Sequence, residues 1–215
     1  MILSKPVIII GAGGHARVLI SALIAVRREI LGIFDQDESM LGQSVAGVPV
    51  LGNDDKIKDY GPDSIELVNG IGSVAATEKH RDVYLKFKNN GYLFAQVIHP
   101  AALIMTDVKL GEGVQIMAGA IIQSGCQIGN NTIVNTGTIM DHGCVIGDHV
   151  HIAPGAVLSG GVQVGPMTHI GTSVTVIQGI NVGGGSIIGA GAVVIKDIPA
   201  NVMAVGAPAR LIERR

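Results

Sequence analysis

The amino-acid sequence predicts an α/β domain over residues 1–97, followed by a parallel β-helix of hexapeptide repeats over residues 98–215. From Ile98 to Val194 every sixth residue is aliphatic or methionine, a period that neither an α-helix nor a simple strand produces. Glycines that follow this residue recur 18 positions apart, so three six-residue faces make one coil. Before residue 98 this period is absent, and an apolar run with a glycine-rich turn indicates a different fold.

The N-terminal segment has the order of a βαβ unit, or half of a Rossmann fold. Residues 6–10 form a continuous apolar run of the kind that parallel sheets bury, and a helical pattern follows the glycine turn. We expect further strands over residues 30–34 and 65–69, and a second helix over residues 77–89. The sequence therefore predicts a small sheet of three or four strands, with residues 92–98 leading into the β-helix.

The turn Gly11-Ala12-Gly13-Gly14-His15-Ala16 matches the G-x-G-x-x-A fingerprint of dinucleotide-binding proteins, with Asp35 near the position of the ribose-binding acid. Glycines at a helix N-terminus let main-chain N–H groups approach a phosphate, whichever nucleotide carries it. A dinucleotide needs two mononucleotide-binding halves, and this segment is long enough for one. We therefore predict a nucleoside diphosphate site in preference to NAD, while a turn that only packs the helix on the strand is the structural alternative.

The predicted β-helix has small or β-branched residues four positions after each aliphatic residue, as a tight corner beside a narrow core requires. Cys126 and Cys144 are 18 residues apart and should stack on one face of the helix. A disulfide between them is conceivable, but two buried thiols fit a reducing compartment better. The aromatic content of 3% agrees with so narrow an interior.

Composition excludes several classes of partner. The net charge of −2 argues against nucleic acid and against an anionic membrane surface. The N-terminus lacks the long apolar core of a signal peptide, and no run reaches the length of a membrane span. We therefore expect a cytoplasmic protein with no membrane insertion.

Polar residues interrupt the β-helix pattern at Asn135–His142, and His151 follows in the next coil. A histidine on a β-helix can be a solvated surface residue, but the adjacent Asp141 and His142 favour a general base. The histidines lack the spacing of zinc ligands, so we predict no metal. The absence of a G-x-S-x-G elbow argues against a serine nucleophile.

Three segments together resemble one known family: IIIGAGGHARVL near the N-terminus, NTGTIMDHGCVIGDHVHIAPGAVLSGGVQVG in the repeats, and VMAVGAPAR near the end. The chain is similar to the sialic acid O-acetyltransferase/sugar-nucleotide N-acetyltransferase family of hexapeptide-repeat acyltransferases. Within it, the resemblance is to members that N-acetylate UDP-4-amino sugars of the bacillosamine pathway or GDP-perosamine. The resemblance covers essentially the whole chain.

The resemblance implies a left-handed β-helix, acetyl-CoA as co-substrate, and a homotrimer with active sites in the grooves between subunits. It implies a set of site residues as well: His142 as general base, His151 at the acetyl carbonyl, Asn135 near the sugar, Gly13, Gly14 and His15 at the nucleotide phosphates, Asp35 near the base or ribose, and main-chain groups of Gly160 and Ala190 in the coenzyme groove. Relatives often carry an acid directly after the catalytic histidine, where this chain has Gly143, so either Asp141 orients His142 from the other side or His142 works without a carboxylate partner.

The predicted function is acetyl transfer from acetyl-CoA to the 4-amino group of a nucleotide-linked deoxy-amino sugar, for bacterial surface glycan or glycoprotein synthesis. One alternative keeps the fold but acetylates a sugar hydroxyl, as in sialic acid O-acetylation. Two others are a sugar-nucleotide oxidoreductase, based on the glycine fingerprint, and a non-catalytic scaffold.

Overall fold

The computed structural model describes residues 5–72 and 77–213. The N-terminal part is an α/β domain whose sheet has the strand order β3-β4-β2-β1-β5. Its elements are β1 (Val7–Ile10), α1 (Gly14–Ala25), β2 (Ile30–Phe34), β3 (Ser44–Val45), β4 (Val48–Gly52), β5 (Glu66–Asn69) and α2 (Glu78–Lys88), with short 3-10 helices at Glu38–Met40 and Asp54–Asp59.

Strand β1 lies inside the sheet, parallel to β2 on one side and to β5 on the other. All four of its residues are buried because the two helices cover opposite faces of the sheet. Val7 and Ile9 pack in the cluster that contains residues of α1, whereas Ile8 and Ile10 pack in the cluster that contains residues of α2. The carboxyl end of β1 therefore delivers the glycine turn to the edge of the sheet where α1 begins.

The sheet has five strands, so the prediction of three or four strands is wrong, because it does not include the β3–β4 hairpin. These strands pair antiparallel around Ala46 and Gly47, which have φ values of +49° and +83°. Two successive positive φ values are typical of tight hairpin turns, and glycine is favoured there because it adopts a positive φ without steric cost. Because β3 is only two residues long, no alternating pattern marks it in the sequence.

The rest of the chain is a left-handed parallel β-helix of two-residue strands in three sheets, as predicted, and it ends in two three-residue strands that pair antiparallel with each other. Face 1 contains Val97–Ile98, Gln115–Ile116, Ile133–Val134, His151–Ile152, His169–Ile170, Ile187–Ile188, Met203–Val205 and Arg210–Ile212. Face 2 contains Leu103–Ile104, Ile121–Ile122, Ile139–Met140, Val157–Leu158, Thr175–Val176 and Val193–Val194. Face 3 contains Lys109–Leu110, Gln127–Ile128, Val145–Ile146, Gln163–Val164 and Asn181–Val182.

The strand pairing confirms the 18-residue coil. Ile128 pairs with Ile146, and Ile146 with Val164, all on face 3. From Ile116 to Val194 the period-six residues are buried in one continuous core, and the small residues at the corners are buried with them. The glycines 18 residues apart have a steric reason, since a Cβ on Gly147 would lie 2.7 Å from the main-chain nitrogen of Pro166 in the next coil.

Both cysteines are free thiols inside this core. Cys126 Sγ lies 3.1 Å from the Asp141 carbonyl oxygen, and burial raises the pKa of the Cys144 thiol to about 12. A thiol with so high a pKa is a structural core group and a poor nucleophile.

Buried and partly buried polar contacts dock the α/β domain on face 1 and the adjoining corner. His80 of α2 is 2% exposed, and its Nδ1 and Nε2 lie 2.7 Å and 3.1 Å from the carbonyl oxygens of Ile71 and Asn131. The Thr77 hydroxyl donates to the Met167 carbonyl at 3.2 Å, and Lys88 Nζ lies 2.9 Å from the Glu112 carboxylate. These contacts fix the position of the glycine turn relative to the β-helix.

Candidate active site

The glycine turn presents an uncapped helix N-terminus. Gly13 is the N-cap of α1, no side chain caps the helix there, and its first turn contains no acidic residue. The φ of Gly13 is −78°, which any residue adopts, and a Cβ on Gly13 or Gly14 would meet nothing within 4 Å. Neither backbone conformation nor packing therefore explains these two glycines, whereas close approach of an anion to the helix N–H groups would.

Asp35 lies beside this turn but uses both carboxylate oxygens on main-chain groups. The N–H of Ala12 donates to Oδ2 at 2.6 Å, and the N–H of Asp37 donates to Oδ1 at 2.8 Å. The carboxylate thus joins the turn after β1 to the loop after β2. It also lines a cleft at the carboxyl ends of β1, β2 and β5, where nucleotides bind in open α/β sheets. The cleft is lined by Ile10, Gly11, Asp35, Gln36, Asp54, Ile71, Lys79 and Val83.

His15, at the start of α1, makes a contact across to the β-helix. Its Nε2 lies 2.6 Å from Oε1 of Gln115 on face 1. Burial lowers the pKa of His15, and the hydrogen bond to Gln115 opposes that shift only in part. The imidazole is therefore uncharged near neutral pH, so its side chain does not bring positive charge to the glycine turn.

Asn135 and His151 meet where face 1 turns toward face 2. The main-chain N–H of Thr136 donates to Asn135 Oδ1 at 2.8 Å, which leaves Asn135 Nδ2 to point at His151 Nε2, 3.3 Å away. His151 is mostly buried, and the ring of His169 packs against it edge to face with centroids 5.0 Å apart. Burial lowers the pKa of His169.

His142 lies at the corner between faces 2 and 3, and its side chain is exposed. Its ring sits over Gly160 in the next coil, where a Cβ would be 2.7 Å from both Cε1 and Nε2 of the imidazole. Asp141 Oδ1 accepts a hydrogen bond from the main-chain N–H of His142 at 2.7 Å. Asp141 thus holds the backbone of His142, and Gly160 leaves the space that the ring needs.

The predicted site residues of the β-helix fall into two groups on different corners of the prism. Asp141, His142 and Gly160 share the corner between faces 2 and 3. Asn135 and Ala190 lie at the corner between faces 1 and 2, and His151 is in the face 1 strand beside it. Within one chain, face 2 therefore separates the two groups.

Sequence reasoning missed the polar residues between the α/β domain and face 1: Asn69, His80, Gln115, Asn131 and His149. The repeat frame contains one indication of them. Gln115 occupies an outward position of face 1 next to Val97 and Ile133, where it is 1% exposed. A buried glutamine at that position needs hydrogen-bond partners from outside the β-helix.

The part of the chain that the structure describes contains no group of three or more His, Cys, Asp or Glu side chains that could bind a metal ion. Neither of the two helices over residues 5–72 and 77–213 is long and apolar enough to cross a membrane.

An α/β domain with an uncapped glycine turn, joined to a β-helix with histidines at its corners, is the architecture of a hexapeptide-repeat acyltransferase. Residues 6–80 match the model of the PglD N-terminal domain, and residues 107–141 and 125–160 match the model of the bacterial transferase hexapeptide (six repeats). No curated protein matches the chain.

Solved structures match over almost the whole length. A histidine-to-asparagine mutant of perosamine N-acetyltransferase from Caulobacter crescentus, in complex with CoA and GDP-perosamine, is 36% identical, with 98% of each chain covered and a TM-score of 0.91. The acetyltransferase domain of PglB from Neisseria gonorrhoeae is 32% identical over 97% of this chain and 100% of that one, with a TM-score of 0.89. WeeI from Acinetobacter baumannii is 27% identical with the same coverage and a TM-score of 0.85.

The chain therefore belongs to the sialic acid O-acetyltransferase/sugar-nucleotide N-acetyltransferase family of hexapeptide-repeat acyltransferases.

Proposed function

We propose that the protein transfers the acetyl group of acetyl-CoA to the 4-amino group of a nucleotide-linked deoxy-amino sugar, in bacterial surface glycan or glycoprotein synthesis. The observation that carries this proposal is the exposed His142 ring, held over Gly160 at an open corner of the β-helix. The solved Caulobacter relative, which binds CoA and GDP-perosamine, supports the choice of donor and acceptor.

In the proposed reaction, the amine nitrogen attacks the thioester carbonyl as His142 removes a proton from that nitrogen. The new C–N bond forms, the C–S bond breaks, and the coenzyme thiolate leaves and takes up a proton. His151 and nearby main-chain N–H groups stabilise the oxyanion that develops on the acetyl oxygen. Gly160 and Ala190 line the coenzyme groove.

The acceptor is bound by the α/β domain. The open N–H groups of Gly13, Gly14 and His15 at the start of α1 hold the diphosphate, because the helix N-terminus favours negative charge. Asp35 fixes the shape of this turn through Ala12 and lines the cleft for the base or ribose.

We also propose a homotrimer with its sites between subunits. The outward positions of face 2 are almost all apolar: Leu103, Ile121, Ile139, Val157, Thr175 and Val193. Leu103 is 54% exposed and Ile139 40% exposed in the single chain, and an apolar patch of this kind marks a protein interface. Packing three copies of face 2 around one axis would bring the corner with His142 of one subunit beside the corner with Asn135 and His151 of the next.

An acetylation assay tests the function. Purified protein is incubated with acetyl-CoA and with UDP- or GDP-linked 4-amino-4,6-dideoxy sugars, and free thiol is measured. We expect thiol release with at least one of these sugars, and a rise in melting temperature with the matching nucleoside diphosphate. Acetylation of CMP-sialic acid or free sialic acid alone would establish the O-acetyltransferase alternative, and oxidation of NADH with a nucleotide sugar, without acetyl transfer, would establish the oxidoreductase.

The same preparation tests the trimer and the cellular location. Sedimentation equilibrium should give three times the chain mass of 22.1 kDa, and a monomer would overturn the shared site. We place the enzyme in the cytoplasm, where immunoblots of fractionated cells should find it.

A further inference from the structure

A buried hydrogen-bond chain connects the β-helix to the start of α1. Gln115 on face 1 is 1% exposed, and its side-chain amide has partners on both sides. Its Nε2 donates to the main-chain carbonyl of Asn69 at 2.7 Å, at the carboxyl end of β5. Its Oε1 lies 2.6 Å from Nε2 of His15.

The orientation of this amide follows from the chemistry of its partners. A main-chain carbonyl can only accept, so the NH₂ group of Gln115 must face Asn69 and the amide oxygen must face His15. An amide oxygen can only accept as well, so His15 Nε2 must carry the proton of that hydrogen bond. A neutral imidazole then has its lone pair on Nδ1.

Asn69 holds the other end of the chain in place. It is 1% exposed, and its Nδ2 donates to the His80 carbonyl at 2.7 Å while its Oδ1 accepts from the Ile71 N–H at 3.3 Å. Because Gln115 and Asn69 are buried and each has its partners, Gln115 cannot rotate its amide without leaving a polar group unsatisfied. The tautomer of His15 is thus set by face 1 of the β-helix.

We propose that Gln115 is a positioning residue of the acceptor site, which holds His15 as the Nε2–H tautomer and so assigns Nδ1 to accept a hydrogen bond from a hydroxyl group of the sugar nucleotide. This inference rests on the proposed function. It separates two roles of His15, whose main-chain N–H faces the diphosphate at the helix start and whose side chain recognises a hydroxyl donor.

The position of Gln115 along the β-helix fits that role. Gln115 pairs with Ile133, and Ile133 pairs with His151, so Gln115 and His151 are two coils apart on one face. At about 4.8 Å per coil this separation is roughly 10 Å, the space that a sugar between the diphosphate and the acetyl group would occupy. His15 therefore stands at the junction of the diphosphate and the sugar.

Nitrogen NMR of the whole protein tests the tautomer directly. Histidine labelled with ¹⁵N has distinct shifts for the Nε2–H, the Nδ1–H and the charged ring, and the His15→Gln spectrum identifies the resonances of His15. We expect the Nε2–H form for wild type at neutral pH, and a shift away from it in Gln115→Met. A wild-type His15 that is charged or in the Nδ1–H form would overturn the inference.

Kinetics test the effect on the acceptor. Gln115→Met keeps the size of the side chain but removes both hydrogen bonds, so we expect the KM for the nucleotide sugar to rise about tenfold, with the KM for acetyl-CoA unchanged. Gln127→Met, an exposed position of the same type on face 3, is the control and should leave both constants unchanged. A wild-type KM in Gln115→Met overturns this inference alone, whereas a wild-type enzyme that acetylates none of the sugars overturns the proposed function. The NMR measurement needs no substrate, so it tests the tautomer of His15 whichever sugar the enzyme uses.

Discussion

At the scale of single residues, His142 is the group on which the proposed chemistry depends. Replacing His142 with alanine should lower kcat by roughly 10²–10⁴, the usual contribution of a general base. The ring is exposed, so the variant should fold normally and bind acetyl-CoA as wild type does. Steady-state kinetics with calorimetry of acetyl-CoA binding checks both points, and a fully active variant would mean that the amine attacks unaided.

Asp141 holds the main chain beside the proposed base. Its Oδ1 accepts from the main-chain N–H of His142, and an asparagine side chain has an oxygen that can accept the same bond. Asp141→Asn should therefore keep kcat within a few-fold of wild type. In Asp141→Ala, which lacks the acceptor, kcat should fall about tenfold. If Asp141→Asn is as damaged as His142→Ala, the negative charge itself is needed for catalysis.

Gly160 leaves room for the His142 ring because it has no Cβ. A Cβ there would be 2.7 Å from two atoms of the His142 ring, closer than side chains pack, so Gly160→Ala should displace the imidazole. We expect kcat to fall at least about tenfold, because small displacements of a catalytic group are costly. Gly61→Ala is the matched control, since a Cβ there meets nothing within 4 Å and should leave kcat unchanged.

At the scale of elements, the turn between β1 and α1 makes a clear case for ligand binding. Valine at Gly13 can adopt the observed φ of −78° and meets no protein atom, so Gly13→Val should fold as wild type does. It should nevertheless raise the KM for the nucleotide sugar roughly 10–100-fold, because its side chain keeps the diphosphate from N–H groups whose charged hydrogen bonds contribute about 1.5–3 kcal/mol each. The KM for acetyl-CoA serves as the internal control. An unchanged KM for the sugar would leave the turn with a structural role only.

The elements differ in how far the sequence predicts them, for physical reasons. The coil length can be predicted because the strand of each six-residue face points one large apolar side chain into the core, which leaves a strict period of six. The β3–β4 hairpin cannot, since Ser44–Val45 is too short to alternate and Ala46 adopts a positive φ that its residue type does not favour. The glycine turn is recognisable as a motif. The hydrogen bonds that Asp35 accepts from the main chain are not, because Asp35 is 23 residues from Ala12 and its conformation depends on the loop after β2.

At the scale of the whole molecule, the function proposed here requires the α/β domain to be held rigidly on the β-helix. The residues that connect the two domains are far apart in the chain, as His80 and Asn131 are, so no local sequence pattern predicts their contacts. The opposite holds for His142, which lies close in sequence to Asn135 and His151 but on a different corner of the β-helix. The sequence indicates which residue types the proposed site contains, whereas the geometry of the coil determines which of them lie close together within one chain.

The buried histidine of this interface predicts how stability depends on pH. Burial is the main reason that the pKa of His80 is lowered from 6.5 to about 4 in the folded protein. Between these values the unfolded chain binds a proton that the folded protein does not, so the free energy of unfolding falls as the pH falls below 6.5. His15, His149 and His169 have pKa values shifted in the same direction and add to the effect.

Urea denaturation at a fixed protein concentration, at about pH 7.5 and about pH 5, measures this dependence. Between the higher and the lower pH, the free energy of unfolding of wild type should fall by about 2 kcal/mol more than that of His80→Gln. At the higher pH, His80→Gln should nevertheless be the less stable of the two. His142→Gln, which changes an exposed ring, is the control and should keep the wild-type difference. Equal losses in wild type and His80→Gln would show that the folded protein takes up a proton at His80 as readily as the unfolded chain. The interface would then tolerate a charged imidazole between the two carbonyl groups, and acid would not weaken the docking of the nucleotide-binding turn through this residue.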